Sequence, residues 1–453
     1  MRTFVLAASL GWALLGCVSV SEDAGFSEVQ ALSEERAGAK LTWIRGIEED
    51  REVVRKVRDI LSQPLSVDAA VQIALLNNRS LQATYEDLGL SQAELVQAGL
   101  LLNPVFSGAF RYPTEAPRSL NLEFDLVGSF LELLFLPARK QAASLEFEER
   151  KLTVSHAVLE LATETRNAYF SAISARQVAD LRKLIAEAAE ASAEFAKRLH
   201  DAGNLPELAA TLERASYEQA RIDWSRAETA VVEARERLTR MMGLWGSDVH
   251  WKAPDKLPDV PLGEPPLDRA ESLAISRRLD FQAAIREVQV ASAALGVTRR
   301  SRWLGDDLEL GASAEREPGG DWLVGPALAI RIPAFDQGQA RVAIGESLLR
   351  QREHRLTALA VGIRSEVRRL RDRLVRDRQR LEHYLKVVIP LRERAVELTQ
   401  ERYNFMLVGT HELLEAKRHE FNAYQEYIEA VRDYWMTRSE FLRAIGGAVP
   451  ETK

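Results

Sequence analysis

One cysteine, Cys17, stands in a chain of 453 residues, so no disulfide can close within a protomer. No apolar run reaches the ~18 residues that a membrane-crossing helix needs, so helices are not what would hold this chain in a bilayer. Basic residues are not in excess. The formal charge is -7, which excludes the electrostatic footprint of a nucleic-acid binder. Methionine is scarce: beyond Met1 there are only Met241, Met242, Met406 and Met436, without the Met or Cys clusters that suit a soft-metal relay. His411 and His419 have no further ligand spacing around them and read as surface histidines, so no metal site is expected. No nucleophile–base motif and no Gly-rich phosphate loop occurs. Neither catalytic residues nor a cofactor are therefore expected.

What is abundant is Ala, Leu, Glu and Arg, a composition that favours long helices. Residues 1–16 read as a secretion signal. Arg2 supplies the positive start, and Phe4 to Leu15 is an apolar stretch too short to span. It ends Leu14-Leu15-Gly16-Cys17, which is similar to the bacterial lipoprotein cleavage box and makes Cys17 the expected lipid attachment. Val18 and Ser19 follow, with no Asp, which points to an outer-membrane address. Residues 17–64 read as a tether, with one helix expected over Ile47 to Leu61.

The stretch from Arg118 to Val127 alternates strictly. Leu120, Leu122, Phe124 and Leu126 lie on one side; Asn121, Glu123 and Asp125 lie on the other. Phe106 and Phe110 oppose Arg111 in the same way just upstream, so 105–127 reads as a hairpin. A second hairpin is expected over 308–332. There Leu308, Leu310, Trp322, Val324, Leu328 and Ile330 alternate with Glu309, Arg331 and small residues. A strand with lipid outside and water inside has this profile, and so has a strand on a soluble core.

The rest is helical in pattern and repeats itself. Val67-Asp68 and Leu267-Asp268 open matching segments, and Leu81-Gln82-Ala83 matches Phe281-Gln282-Ala283. The first half, 65–243, reads as a helix from Val67 to Leu102 capped by Ser66, a hairpin, a long helix from Ala138 to His200, a turn at 202–206, and a helix to Met242. A Pro-, Gly- and Trp-rich linker covers 244–266. The second half, 267–447, repeats the order. Its long helix runs from Gly338 to Val408, kinked at Pro390 and loosened by Gly345 and Gly362. A turn at 408–411 follows, in which Gly409 is matched to Gly203 and Leu414 to Leu208. A tail of 448–453 remains. The Arg-rich run from Arg364 to Arg380 reads as a solvated coiled-coil face.

Four strands cannot close a barrel, since about eight is the practical minimum, and an open edge cannot face lipid. If the strands span a membrane, chains must pool them. The motifs Leu65-Ser66-Val67-Asp68-Ala69-Ala70, Gln97 to Pro104, Ile332 to Gly338 and Arg402 to Gly409, in this order and doubled, resemble the TolC-type outer-membrane efflux proteins, lipoprotein branch. The resemblance spans about Leu65 to Gly447.

It implies a mainly α fold with a small β part. Long antiparallel helices form a periplasmic tunnel, and four strands per chain enter a trimeric twelve-stranded barrel in the outer membrane. The expected function is a passive channel, gated at its periplasmic tip by an adaptor protein and an inner-membrane pump. Under that reading Phe106, Phe110, Leu120, Leu122, Phe124, Leu126, Leu308, Leu310, Trp322, Val324, Leu328 and Ile330 face lipid. Arg111, Asn121, Glu123, Asp125, Glu309 and Arg331 face the lumen. Gly203, Asn204, Leu208, Gly409, Thr410 and Leu414 are the expected tip contacts, with Asp201, Glu412 and Glu415 as the gate. The competing class is a lipid-anchored periplasmic coiled-coil scaffold whose strands form a soluble cap.

Overall fold

The computed structural model describes residues 20–112, 114, 120–261, 263–264, 268–302, 308–317, 319–330, 332 and 334–448. The fold is mainly α with one small sheet. Its contacts divide into two compact units. One comprises the described parts of Met1–Val29, Tyr85–Val154 and Leu279–Ala360; the other comprises those of Gln30–Thr84, Ser155–Arg278 and Val361–Lys453.

The first unit holds four strands, β1 Val105–Arg111, β2 Asn121–Ser129, β3 Leu308–Arg316 and β4 Trp322–Ile330, in an antiparallel sheet of order β1-β2-β3-β4. β2 begins three residues after the start of the alternating stretch, and Leu120 lies outside it. The helices of this unit meet closely. Phe26 packs edge-on against buried Tyr85, ring centres 5.1 Å apart. Buried Lys151 is held by Glu28 at 2.5 Å and Glu148 at 2.7 Å. Burial lowers its pKa, but the two carboxylates more than offset that and leave it raised. Gly345 does not loosen its helix, Gln339–His383. A Cβ there would stand 3.0 Å from Leu295 Cδ1, so glycine is what lets helix Leu279–Ser301 approach. The long helix of the first half starts at Phe130, not Ala138, and carries Pro137 inside. Proline removes one intrahelical donor, and the Leu-rich turn before it and the Ala-, Arg- and Lys-rich turns after it, all good helix formers, continue the helix regardless.

The second unit has a core of Val53, Val57, Leu65, Ile73, Tyr169, Phe170, Ile173, Leu238, Met242 and Trp251. Its N-terminal segment is no loose tether. Besides helix Ile47–Leu61 there is a helix Phe26–Ala37 that periodicity did not reveal, and Leu41 and Trp43 are buried. Ser66 caps as expected: its hydroxyl accepts from the Ala69 N–H at 3.1 Å. The helix it starts is not continuous to Leu102. It ends at Asn77 and restarts at Arg79, with Asn78 extended (ψ 114°). The second half breaks likewise, Ala270–Arg277 and Leu279–Ser301, with Arg278 extended (ψ 127°).

Tertiary hydrogen bonds explain the first break. The Asn77 amide donates to the carbonyls of Met242 (3.1 Å) and Gly243 (2.7 Å), and Asn78 donates to Met241 (2.9 Å). At the second break, Arg278 pairs with Glu366, which also holds Arg443 at 2.6 Å. Burial raises the Glu366 pKa, but the two guanidinium groups overcome that and hold it below the usual carboxylate range.

The described part of the 244–266 stretch is packed rather than free, although Trp245 is exposed. Trp251 donates to Thr239 Oγ1 at 3.0 Å, and Trp435 donates to the Pro258 carbonyl at 3.0 Å. The Arg-rich run is likewise not a simple solvated face. Buried Asp377 accepts from Thr437 (2.8 Å) and Arg380 (2.8 Å), and Arg378 engages Glu264, Tyr434 and the Pro261 carbonyl. At Pro390 the long helix does not merely bend. A π-turn, Tyr384–Val388, joins Gln339–His383 to Ile389–Asn404. The wider turn makes room for the proline ring and its missing donor.

Candidate channel wall and helical tip

Residues directly opposite on neighbouring strands share a face of the sheet. Phe106 pairs with Leu126, Phe110 with Leu122, Leu308 with Ile330, Leu310 with Leu328, and Ala314 with Phe124 on one side and Val324 on the other. One face therefore collects Phe106, Phe110, Leu122, Phe124, Leu126, Leu308, Leu310, Trp322, Val324, Leu328 and Ile330. Phe124 stacks near Phe106 and Trp322, ring centres 6.0 and 6.2 Å away, and meets Phe110 edge-on at 5.7 Å. This face is open: Phe106, Phe110, Val324 and Leu328 are all exposed. Arg316 breaks it only at one rim, opposite Trp322 and Leu122.

The other face carries Ser107, Arg111, Asn121, Glu123, Asp125, Glu309, Ser313 and Glu315 among small residues, with Val105, Val127 and Leu323. Glu123 stands directly opposite Glu315, a repulsive arrangement, and Arg111 answers it at 2.7 Å from Glu123. Among the described residues β1 and β4 each pair on one side only. Cys17 and Arg331 lie outside the described residues.

At the first turn, Phe130–Asp201 ends in a Schellman motif. The Asn204 N–H donates to the Leu199 carbonyl (2.8 Å), the Gly203 N–H donates to His200 (2.8 Å), and Gly203 has φ +73°. At the second turn the same two bonds run from Leu407 to Arg402 (2.9 Å) and from Met406 to Tyr403 (2.8 Å). The left-handed residue is therefore Met406, φ +58°. Gly409 is not the counterpart of Gly203. It is the extended residue before helix Thr410–Ala444, φ -86°, a backbone any residue adopts, and it matches Pro206, which precedes helix Glu207–Met241. Both following helices are 35 residues long, so Leu208 aligns with His411 and Leu414 with Thr211.

The apolar turn Phe405-Met406-Leu407 is exposed, Met406 at 93%. Left-handed backbone costs a non-glycine residue about 1–2 kcal/mol. Met406→Gly is accordingly expected to raise the apparent melting temperature of the solubilised protein, and Gly203→Val to lower it. Differential scanning of the two variants checks both signs.

The three acids singled out as a gate are each held locally. Asp201 lies 3.6 Å from Lys197, Glu412 accepts from the Gly409 N–H at 3.0 Å, and Glu415 lies 2.6 Å from Arg418. Glu415 and Leu414 line a cavity of about 330 Å³ between three helices; Asp201 and Glu412 are not part of its wall. His411, read from sequence as an ordinary surface residue, enters this cavity. Its Nδ1 lies 3.1 Å from Glu213, whose second oxygen accepts from Ser192 at 2.8 Å. Only the fold brings residues 192, 213 and 411 together, so no sequence signal marks them.

Comparison with known proteins supplies a frame for this geometry. The chain is 22% identical over 402 residues to the cobalt-zinc-cadmium resistance protein CzcC of Cupriavidus metallidurans, covering 84% of this chain and 90% of that one. Among solved structures it is similar to the CmeC outer membrane channel of Campylobacter jejuni (TM-score 0.74, 16% identity, 85% of this chain and 87% of that one). It is also similar to CusC, whose structures concern folding and transmembrane channel formation (TM-score 0.70, 18% identity, 84% and 92%). No family model matches.

Proposed function

This chain has the fold of the TolC-type outer-membrane efflux proteins, and we propose that it forms the outer-membrane channel of an efflux or secretion system, a passive conduit rather than an enzyme. The observation that carries this reading is the sheet: one exposed apolar face, one acidic and polar face, and two edges unpaired among the described residues of the chain. An unpaired edge leaves backbone groups that hydrocarbon cannot satisfy. Three copies joining β4 of one to β1 of the next supply twelve strands and no edge. The apolar face then meets lipid and the acidic face meets the water-filled lumen. A soluble cap, the competing reading, leaves the apolar face without a partner.

The exposed apolar turn Phe405-Met406-Leu407, with Gly203, Asn204, Leu208, Thr410 and Leu414, is the proposed contact with a periplasmic adaptor that couples the channel to an inner-membrane pump. Purified protein in planar bilayers should give stable conductance steps, and unheated samples should run in gels as a slow trimer band that boiling converts to the faster monomer. Heat-independent migration together with silent bilayers favours the scaffold instead. The name of CzcC attaches to resistance against cobalt, zinc and cadmium. Whether this chain serves the same cargo is tested by the tolerance of a deletion strain to each of the three ions.

Anchoring is proposed through Cys17, from the Leu14-Leu15-Gly16-Cys17 box. Cys17→Ser should abolish incorporation of labelled fatty acid. Label retained in that variant would place the lipid elsewhere.

A further inference from the structure

Two Arg-lined cavities occupy matching places in the second unit. Each lies where the first helix of a repeat begins, against the middle of that repeat's long helix. One is bordered by Ala270 to Ser272 and Arg364 to Arg371, the other by Val67, Asp68 and Leu159 to Phe170. The second of these is the more enclosed by chain segments, since Arg36 and the last turns of helix Thr410–Ala444 also reach it. We propose that this cavity is a binding site for an amphiphilic organic anion, its oxyanion held among Arg36, Arg166, Arg438 and Ser439 and its apolar body resting on Phe170 and Trp435.

The charge comes first. Four guanidinium groups line the cavity, those of Arg36, Arg166, Arg438 and Arg443, against a single carboxylate, Asp68. Arg443 is already answered by Glu366 outside the wall. Arg36 and Arg166 are answered differently: one donates to the Arg277 carbonyl and the other to the Ala37 carbonyl, each at 2.7 Å. A carbonyl satisfies a donor without neutralising the charge. Burial pulls the pKa of both groups down, Arg277 adds to this at Arg36, and the nearby carboxylates of Glu35 and Asp68 offset it only in part.

Two polar groups are left open. Ser439 is only 6% exposed, and its hydroxyl has no partner. The Nε of Arg438, sealed from water, has none either. Buried donors without acceptors are rare and each is costly, so the pair marks where an acceptor belongs. An oxyanion in the cavity becomes the acceptor for both once the Ser439 hydroxyl and the Arg438 side chain turn toward it, and it adds negative charge beside Arg36 and Arg166.

The floor is apolar. Phe170 and Trp435 stack with ring centres 5.4 Å apart, and the Arg438 guanidinium lies 5.6 Å over the Trp435 ring. The cavity holds about 350 Å³, within the range of small-molecule sites. A bare inorganic ion would leave that floor uncovered, which is why the ligand is placed in the organic class.

The test is calorimetric titration of the full-length solubilised protein with phenyl phosphate, benzoate, inorganic phosphate and uncharged benzyl alcohol. At least one of the two aromatic anions should bind saturably, at least tenfold more tightly than inorganic phosphate and benzyl alcohol, and the stronger of the two identifies the headgroup. Arg438→Gln should weaken that binding tenfold or more and Ser439→Ala several-fold, while Arg364→Gln, in the other cavity, should leave it unchanged. Absence of saturable binding overturns the proposal, as does equal binding of benzyl alcohol. Affinity untouched by Arg438→Gln and Ser439→Ala in protein whose circular dichroism is unaltered does so as well.

Discussion

Phe124→Arg should abolish stable trimers in the outer membrane, while Asp125→Asn should leave them nearly as abundant as in the parent. Phe124 sits at the centre of the apolar face, touching Phe106, Phe110 and Trp322. A cation at a mid-membrane, lipid-facing position of a barrel costs roughly 2–4 kcal/mol per chain, and three chains multiply it. The variant also loses the aromatic contacts, each worth about 0.5–1.5 kcal/mol. Asp125 lies on the opposite face beside Ser313, where Asn keeps the polarity. Quantifying trimers in outer-membrane fractions on unheated gels reads both arms. Equal tolerance of the two substitutions would remove the lipid-and-lumen assignment of the faces and leave the soluble cap.

Gly243→Ala should be among the most damaging single-methyl additions in the second unit, with Gly203→Ala as its control. Both glycines are left-handed, φ +67° and +73°. That backbone alone costs a non-glycine residue about 1–2 kcal/mol. Around Gly203 nothing lies within 4 Å of an added Cβ, so the control pays the backbone cost only. At Gly243 the added atom would stand 2.6 Å from the Asn77 carbonyl oxygen, in a segment tied down by the two Asn77 hydrogen bonds. Overpacking of this kind typically adds about 1–3 kcal/mol. Gly446→Ala should behave like Gly243→Ala, because its Cβ would meet the carbonyl of Arg277 at 3.2 Å in the equivalent place. Apparent melting temperatures from far-UV circular dichroism should fall in the order Gly203→Ala, then Gly243→Ala and Gly446→Ala. Equal falls would mean the helix break yields freely.

Much of this was legible in the residues. The two-faced strands are visible because period-two alternation is a local property, and Leu122, Phe124 and Leu126 declare their face without help from a partner. The doubling of the chain was visible for the same reason. What stayed hidden depends on contacts between distant segments. The break at Asn78 has helical periodicity on both sides and follows from carbonyls 163 to 166 residues away. The second tip was misaligned by three residues because glycine is the expected left-handed residue, and here Met406 takes that place. The kink expected at Pro390 is a π-turn, and Pro137 lies inside a helix that begins seven residues before it. Arg36, Asp68, Arg166 and Arg438 are spread over some four hundred positions, and no spacing announces that they meet.

The two unpaired sheet edges bear on how mutant alleles should behave in a cell. Strands β1 and β4 of one copy have no place in hydrocarbon until other copies cover them. In the three-copy ring proposed above, insertion and assembly are a single event, whose rate depends steeply on how many chains are available together. A copy altered only along β4 still offers an intact β1 to a neighbour, so it enters the ring and spoils it. Such alleles should be dominant over the parent gene. Alleles that prevent folding altogether never reach the ring and should be recessive.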